Sequence, residues 1–312
     1  MSFSLAIFAG IPFLILATVT FIDGVERAAS RLGLTRFATG ALLVAALTAL
    51  PETVIAILSG IRGGDAYLLV GAGSILAAPS ITILLGAPII LLTTRWRKAA
   101  GISISQNYIL FATVFLPSIL VLIFIEQIIV RYALSLGLMV LYVVLARRIY
   151  LEEDELMEGR QRSLLERLLR VDSMPLSLVQ VLASLSLMIY AADLFMDGVA
   201  ETVEALTYSL ILSPFGTCLE EVLVAAYWTA RRKSDIALSL LSGENLIQAT
   251  LVLGIGTAAT GMWLTAGSIS IAAVYTAAAL ILAAALRKGI GLLAAPLLLM
   301  LYPLYILAAL RV

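Results

Sequence analysis

The chain has 312 residues, 62% of them hydrophobic and 13% charged, with 20 Lys plus Arg balanced by 20 Asp plus Glu. That composition excludes an ordinary soluble domain, and the zero net charge says nothing of partners because the charges are segregated by loop. A single cysteine, Cys218, excludes a disulfide within the chain and a multi-cysteine metal cluster, while the lack of histidine excludes His-ligated zinc, a Ser-His triad and histidine proton relays.

Apolar runs of about 20 residues recur along the chain, each long enough to cross the roughly 30 Å hydrocarbon core as a helix. Ten spans are predicted, at about 3–22, 37–61, 67–93, 103–125, 128–146, 176–200, 206–229, 236–258, 267–286 and 290–310. The first segment, Met1-Ser2-Phe3-Ser4, lacks the basic residues of a signal peptide, so the first run reads as a retained helix. Seventeen of the twenty basic residues fall in alternate loops: Arg27, Arg31 and Arg36; Arg95, Arg97 and Lys98; six arginines between spans five and six; Arg231, Arg232 and Lys233; Arg287 and Lys288. Only Arg62, Arg131 and Arg311 fall on the other side. By the positive-inside rule both termini are outside and the central loop is cytoplasmic. The expected location is a cell membrane, crossed many times.

The central loop, 151–175, is the longest polar stretch. Ser163-x-x-Glu166 reads as a capping box ahead of Leu164, Leu165, Leu168 and Leu169, with Arg162, Arg167 and Arg170 on other faces. It predicts a short amphipathic helix at the inner membrane surface, with a solvated linker as the alternative.

The chain also repeats itself. Phe21-Ile22-Asp23-Gly24-Val25 recurs as Phe195-Met196-Asp197-Gly198-Val199, and Thr48-Ala49-Leu50-Pro51-Glu52 recurs as Thr217-Cys218-Leu219-Glu220-Glu221. With five spans in each half, the halves enter the membrane from opposite sides. The expected architecture is all-α: a first five-helix repeat over 1–150, the loop over 151–175, and an inverted five-helix repeat over 176–312. Inverted halves with matched polar motifs place a site at the midplane, where the motifs meet.

Four carboxylates lie deep in apolar runs: Glu52, Glu220, Glu221 and Glu244. A charge at the bilayer centre costs at least about 2.5–3.5 kcal/mol, which makes an intramembrane carboxylate a functional candidate. Pro51, one residue before Glu52, cannot bond back to the carbonyl of Leu47, so an interior proline there frees a second oxygen. Carboxylates beside carbonyls suit a hard cation such as calcium, sodium or magnesium. Adjacent residues on a helix point about 100° apart, so Glu220 and Glu221 do not both face one site, and Glu220 is read as the bystander. In span eight, Glu244 and Gln248 share a face. In span three, Pro79 frees the carbonyl of Ile75, and Ser74 and Ser80 add hydroxyls; Gly71 and Gly73 there read as close-packing positions. Asp23 and Asp197 read as helix caps or interfacial charges. No glycine-rich stretch follows a strand, so nothing supports a nucleotide or a nucleic acid as ligand.

These motifs resemble the cation/calcium antiporter family, whose sodium/calcium exchanger branch carries Gly-Thr-Ser-Leu-Pro-Glu in each inverted half. The likeness covers nearly the whole chain. It implies metal-binding roles for Glu52 and Glu221 through their carboxylates and for Thr48 and Thr217 through their carbonyls. It also matches Ser80 to a ligand Asn on span three and Gln248 to a ligand Asp on span eight, with Glu244 as a carboxylate displaced by one turn. The chain departs from the family at several positions: Ala49 and Cys218 stand for the motif serines, Glu220 for the second proline, Ser80 for the Asn and Gln248 for the Asp. The implied function is that of a secondary antiporter, not an enzyme, exporting Ca2+ in exchange for Na+ or H+ by alternating access. Its partners would be inorganic cations and the lipid bilayer, with no further cofactor. The alternatives are a proton-coupled exchanger of another cation such as Mg2+, or a non-transporting membrane protein. Oligomeric state is open, a monomer being compatible.

Overall fold

Pro51 sets the first break in the fold. The computed structural model describes residues 17, 19–93, 98–158, 162–200, 207, 210–211, 214, 218–261 and 264–312, some of them, including 191–200 and 219–220, by backbone alone. The described residues are helical, with a single isolated bridge between Thr35 and Leu156. Seven helical stretches are long and apolar enough to span a membrane: Arg36–Arg62, Asp65–Thr93, Gly101–Phe124, Ile128–Tyr150, Ser234–Thr260, Gly267–Lys288 and Gly291–Ala309. The predicted first span and most of the seventh lie outside the described residues.

A first helix, α1, covers 19–31. The next begins at Arg36–Ala38, widens into a π turn over Thr39–Val44 and returns to α over Ala45–Thr48; we call this run α2. It ends at Ala49, whose ψ of −3° breaks the hydrogen-bond ladder, and α3 starts at Leu50–Arg62. Pro51 therefore occupies the first turn of α3, where no N–H donor is needed, and is not the interior proline expected from the sequence.

Helix α4 runs Asp65–Ile81 with Pro79 in its interior, then a π turn at Thr82–Gly86 and a last segment Ala87–Thr93. Helix α5 is Lys98–Phe124 and α6 is Ile128–Tyr150. The central loop holds α7, Leu164–Leu169, and leads to α8, Met174–Ala200. The second motif opens α9, Leu219–Ala230. Helix α10 comprises Ser234–Ile247, a π turn Gln248–Val252 and Leu253–Thr260. Helices α11, Gly267–Lys288, and α12, Gly291–Ala309, complete the chain.

Burial sorts these helices into a centre and a rim. The most apolar stretch of α10 is 94% buried within the protein and that of α4 83%, against 22% for α6. Helix α6 turns Ile129, Leu136, Val140 and Val143 outward, and α12 turns out Leu293, Met300 and Leu307. Apolar side chains facing outward in rows are at home in lipid. Helix α10 packs on α2, α5 and α9, and α11 packs along α5 and α12. The contact with α2 is backbone to backbone. A Cβ on Gly243 would lie 2.2 Å from the Ala41 carbonyl oxygen, so only glycine fits there. Gly71 obeys the same logic, since its Cβ would meet the Ser59 Cβ at 2.8 Å, in keeping with the close packing expected of it.

The central loop is tied to α1 and α8 by a buried polar cluster. The capping box forms as predicted: the Glu166 N–H donates to Ser163 Oγ and the Ser163 N–H donates to Glu166 Oε2 at 2.6 Å. The Arg27 guanidinium reaches Glu166 at 3.2 Å and also Asp172. Burial alone would push the Glu166 carboxyl up, but the N–H groups of Ser163 and Ser173 and the Arg27 guanidinium hold it down at about 2. Asp23 caps a helix other than its own, accepting from the Leu164 N–H at the start of α7 and from Arg167 at 3.0 Å. Its counterpart Asp197 has a side chain outside the described residues.

Candidate metal centre

The two motifs, 169 positions apart from Thr48 to Thr217 in the sequence, meet where α3 and α9 begin. Glu52 lies in the first turn of α3 and Glu221 in the first turns of α9, both with no exposed surface. Helix N-termini point N–H groups and a partial positive charge at whatever lies ahead of them, which favours carboxylates there. Between them sits Cys218, 1% exposed, whose thiol donates to Glu52 Oε1 at 3.2 Å. One ligand atom from each of Glu52, Cys218 and Glu221 can be chosen so that all lie within 4.8 Å of one another. Three such atoms can surround a single ion.

Helix α10 supplies the third buried carboxylate. Glu244, 1% exposed, accepts from the Thr48 hydroxyl at 3.3 Å and from the Gln248 amide nitrogen at 2.9 Å. Its charge also senses that of Glu52, so α2, α3 and α10 bring Thr48, Glu52, Glu244 and Gln248 into one polar region. The Gln248 Oε1 has no hydrogen-bond partner among the described residues. Glu244 and Gln248 thus share a face as the sequence implies, but they bond to each other before any ion is considered.

From α4, Ser80 is fully buried, and its hydroxyl makes no hydrogen bond among the described residues. It lies beside the hydroxyls of Tyr275 and Tyr305, and both tyrosines are within electrostatic reach of Cys218. Ser74, also buried, likewise makes no hydrogen bond among the described residues. Further α10 polar groups are used structurally: Thr82 donates to Asn245 Oδ1 at 3.0 Å, and the Asn107 amide donates to Ser242 at 3.2 Å.

Thr217 and the Glu220 side chain, both singled out in the sequence, lie outside the described residues. Of the others, Glu52 and Glu221 come together, Thr48, Glu244 and Gln248 form a second group next to Glu52, and Ser80 lies beside Tyr275 and Tyr305 and is not brought into either group. Cys218 is the residue that motif reasoning passed over. Its place inside the repeated motif was the available signal, but a thiol in a serine position reads first as the loss of a hydroxyl. Chemically, buried carboxylates, a thiol and unpartnered neutral oxygens can replace the hydration shell of a cation.

Comparison with known proteins gives the fold and the family. No curated protein matches the chain. Solved structures of the sodium-calcium exchanger NCX_Mj match over almost the full length of both chains. The form soaked with 10 mM Na+ and 10 mM Sr2+ is 22% identical, with a TM-score of 0.72 over 97% of this chain and 96% of that one. The form soaked with zero Na+ and Ca2+ is 18% identical, with a TM-score of 0.70 over 97% of each chain. At that identity the likeness shows a shared fold. A model of the sodium/calcium exchanger protein family matches residues 2–150 and 176–311. This multi-pass membrane chain therefore belongs to the sodium/calcium exchanger protein family and is a cation exchanger in kind.

Proposed function

We propose that the chain is a secondary antiporter that exports Ca2+ in exchange for Na+ or H+. The site would be the midplane group of Glu52, Glu221, Glu244, Thr48, Thr217, Gln248 and Ser80. The observation that carries the reading is the meeting of Glu52 and Glu221 around Cys218, with ligand atoms within 4.8 Å of one another and all three side chains buried. Two carboxylates balance a divalent cation, and their burial means that the site must open to one side before the ion can leave.

The ten-span, inverted-repeat architecture over 1–150 and 176–312 is part of this proposal, as are outside termini and a cytoplasmic loop at 151–175. It is supported by the repeated motifs and by the asymmetry of basic residues. Alternating access then moves one set of helices against another around a site shared by both halves. Cation and counter-ion compete for the same oxygens, which couples their movements. The solved relatives, an exchanger soaked with Na+, Ca2+ and Sr2+, support a cation of this charge and size.

A second reading keeps the fold and exchanges another cation, such as Mg2+, for protons. Two observations favour it: Ala49 brings no side-chain oxygen, and the Gln248 amide nitrogen is engaged with Glu244. Both leave fewer neutral oxygens to wrap Na+. Purified protein in sealed vesicles, given a Na+ gradient or a pH gradient separately, tests both. Ca2+ movement driven by at least one gradient is expected. Mg2+ movement with Ca2+ excluded favours the second reading, and no divalent movement under either gradient from folded protein overturns the assignment.

A further inference from the structure

We infer that Glu26, Trp228 and Lys233 form a lock that closes the exchange site from the cytoplasm, and that the matching position on the outer side carries residues unable to form one. The inference rests on the exchange site and the inverted repeat proposed above. It goes beyond them in assigning residues outside the site to its opening.

The observations begin on α9. Trp228 follows Glu221 by seven residues, close to two full turns. It therefore lies on the same stripe of the helix, about 10 Å nearer the basic loop of Arg231, Arg232 and Lys233. Its side chain has no exposed surface and is the largest fully buried one among the described residues. The face of α9 that carries Glu221 thus carries a buried indole between it and the cytoplasmic loop. The indole Nε1–H donates to Glu26 Oε1 on α1 at 2.8 Å, and the Lys233 ammonium reaches the same oxygen at 2.7 Å. The Glu26 side chain is 4% exposed and that of Lys233 23%, so the group runs from the interior to the water at the loop.

A second observation is how α1 is held on its other faces. The Thr20 and Ser184 hydroxyls are 2.9 Å apart, the Gln180 amide donates to the Thr20 carbonyl at 2.7 Å, and Arg27 reaches Glu166. A Cβ on Gly24 would lie 2.7 Å from Val181 Cγ2. Helices α1, α7 and α8 are fastened together, and Glu26 bonds them to α9. A bond of this kind can part: the carboxylate and ammonium regain water as they separate, which offsets much of what opening loses.

The repeat supplies the contrast. Continuing the match of Phe21 to Val25 with Phe195 to Val199 sets Ala200 against Glu26, and continuing that of Thr48 to Glu52 with Thr217 to Glu221 sets Ser59 against Trp228. Helix α8 packs on α3, the counterpart of α1 on α9. Alanine and serine form neither an ion pair nor an indole–carboxylate bond. There Ser59 is buried instead against Gly71, whose Cβ would lie 2.8 Å from the Ser59 Cβ. The cytoplasmic side is held by an anchored aromatic and the outer side by small groups in close contact, so the two sides open unequally.

Cys218, buried beside Glu52, reports on the opening. Purified protein in sealed, oriented vesicles without divalent cations is exposed to a small impermeant methanethiosulfonate reagent from one side at a time, and labelling is followed by mass spectrometry. The wild type should label slowly from both sides. Trp228→Phe removes the N–H and Glu26→Gln removes the charge, and each should raise the cytoplasmic rate by about tenfold while leaving the outer rate unchanged. Lys233→Gln, at the partly exposed edge, should raise it by less, and it carries the test where a buried variant fails to fold. No rise in any folded variant, or an equal rise from both sides, overturns the lock. Labelling does not depend on transport. A rise confined to the cytoplasmic side in a protein that moves no divalent cation upholds the lock and overturns the exchange reading instead.

Discussion

The Gln248 side-chain nitrogen donates to Glu244 Oε1 at 2.9 Å, one turn away on the same face of α10. The Thr48 hydroxyl holds the other oxygen of Glu244 at 3.3 Å. Glu244 therefore ties α10 to α2 through Thr48 and is held from its own helix by Gln248. A carboxylate held in this way is placed to act as the third acidic group of the site.

That relationship gives a paired test. Glu244→Ser should lower divalent flux per folded protein by about tenfold or more, since it removes a full charge from a buried site. Adding Gln248→Asp returns a carboxylate one turn along the same face and should restore part of the flux. Normal flux in the single variant removes Glu244 from the site. A loss of folded protein, with flux per molecule unchanged, makes its role structural.

The loop cluster makes a separate prediction about pH. Glu166 is held at about 2, well below its ordinary 4.5, so it stabilises the docked loop by accepting hydrogen bonds as an anion. For a depressed carboxyl, this contribution is complete above about 4.5 and is lost as pH falls through about 2. Breaking the buried pair with Arg27→Ala should cost about 3 kcal/mol of local stability. Hydrogen exchange of the α7 amides should show that opening at neutral pH, and should show no opening in the wild type down to pH 4.5. Unchanged exchange in the variant would mean that α7 is held by other contacts.

Much of this was legible beforehand. Eight of the predicted spans coincide with described helices to within a few residues, because apolar runs of that length have no other stable home in lipid. The capping box at Ser163 and Glu166 was legible because both of its bonds are local. The partners of Glu166 were not: Arg27 lies 139 positions away, and nothing in a charge count says which arginine turns inward. The π turns at Thr39–Val44 and Gln248–Val252 were not legible either: Gly40 in the first reads equally well as a close-packing glycine, and the second holds neither proline nor glycine. The first lies where α2 packs on α10, with Gly40 against Ile236 and Ala41 against Gly243. Arg131 shows the same limit. It counts as an outer basic residue in the sequence, yet in the fold it is buried and ties together the carbonyls of Leu122, Ile125 and Gly261. At the site, Glu52 and Glu221 announced themselves by their cost in an apolar run, whereas Cys218 cost nothing there and stayed silent.

Orientation is open to direct labelling. A cysteine introduced at exposed Glu158 in the central loop should react with an impermeant thiol reagent from the cytoplasmic side alone, the native Cys218 being buried. Ser163 is unsuitable for this purpose, since it is buried and holds the capping box. Reaction at position 158 from outside intact cells would reverse the proposed topology.

The central claim is that Glu52 and Glu221, one from each motif, together hold the transported divalent cation. Its most direct test is Ca2+ exchange in vesicles by Glu52→Gln and Glu221→Gln, each normalised to folded, inserted protein and compared with Glu220→Gln. Each of the first two removes a negative charge that the bound cation requires in a low-dielectric site, and exchange should fall to background in both. Glu220→Gln should retain most of the activity, since adjacent positions on a helix are about 100° apart and do not both face one site. Wild-type exchange rates in either Glu52→Gln or Glu221→Gln would contradict the account.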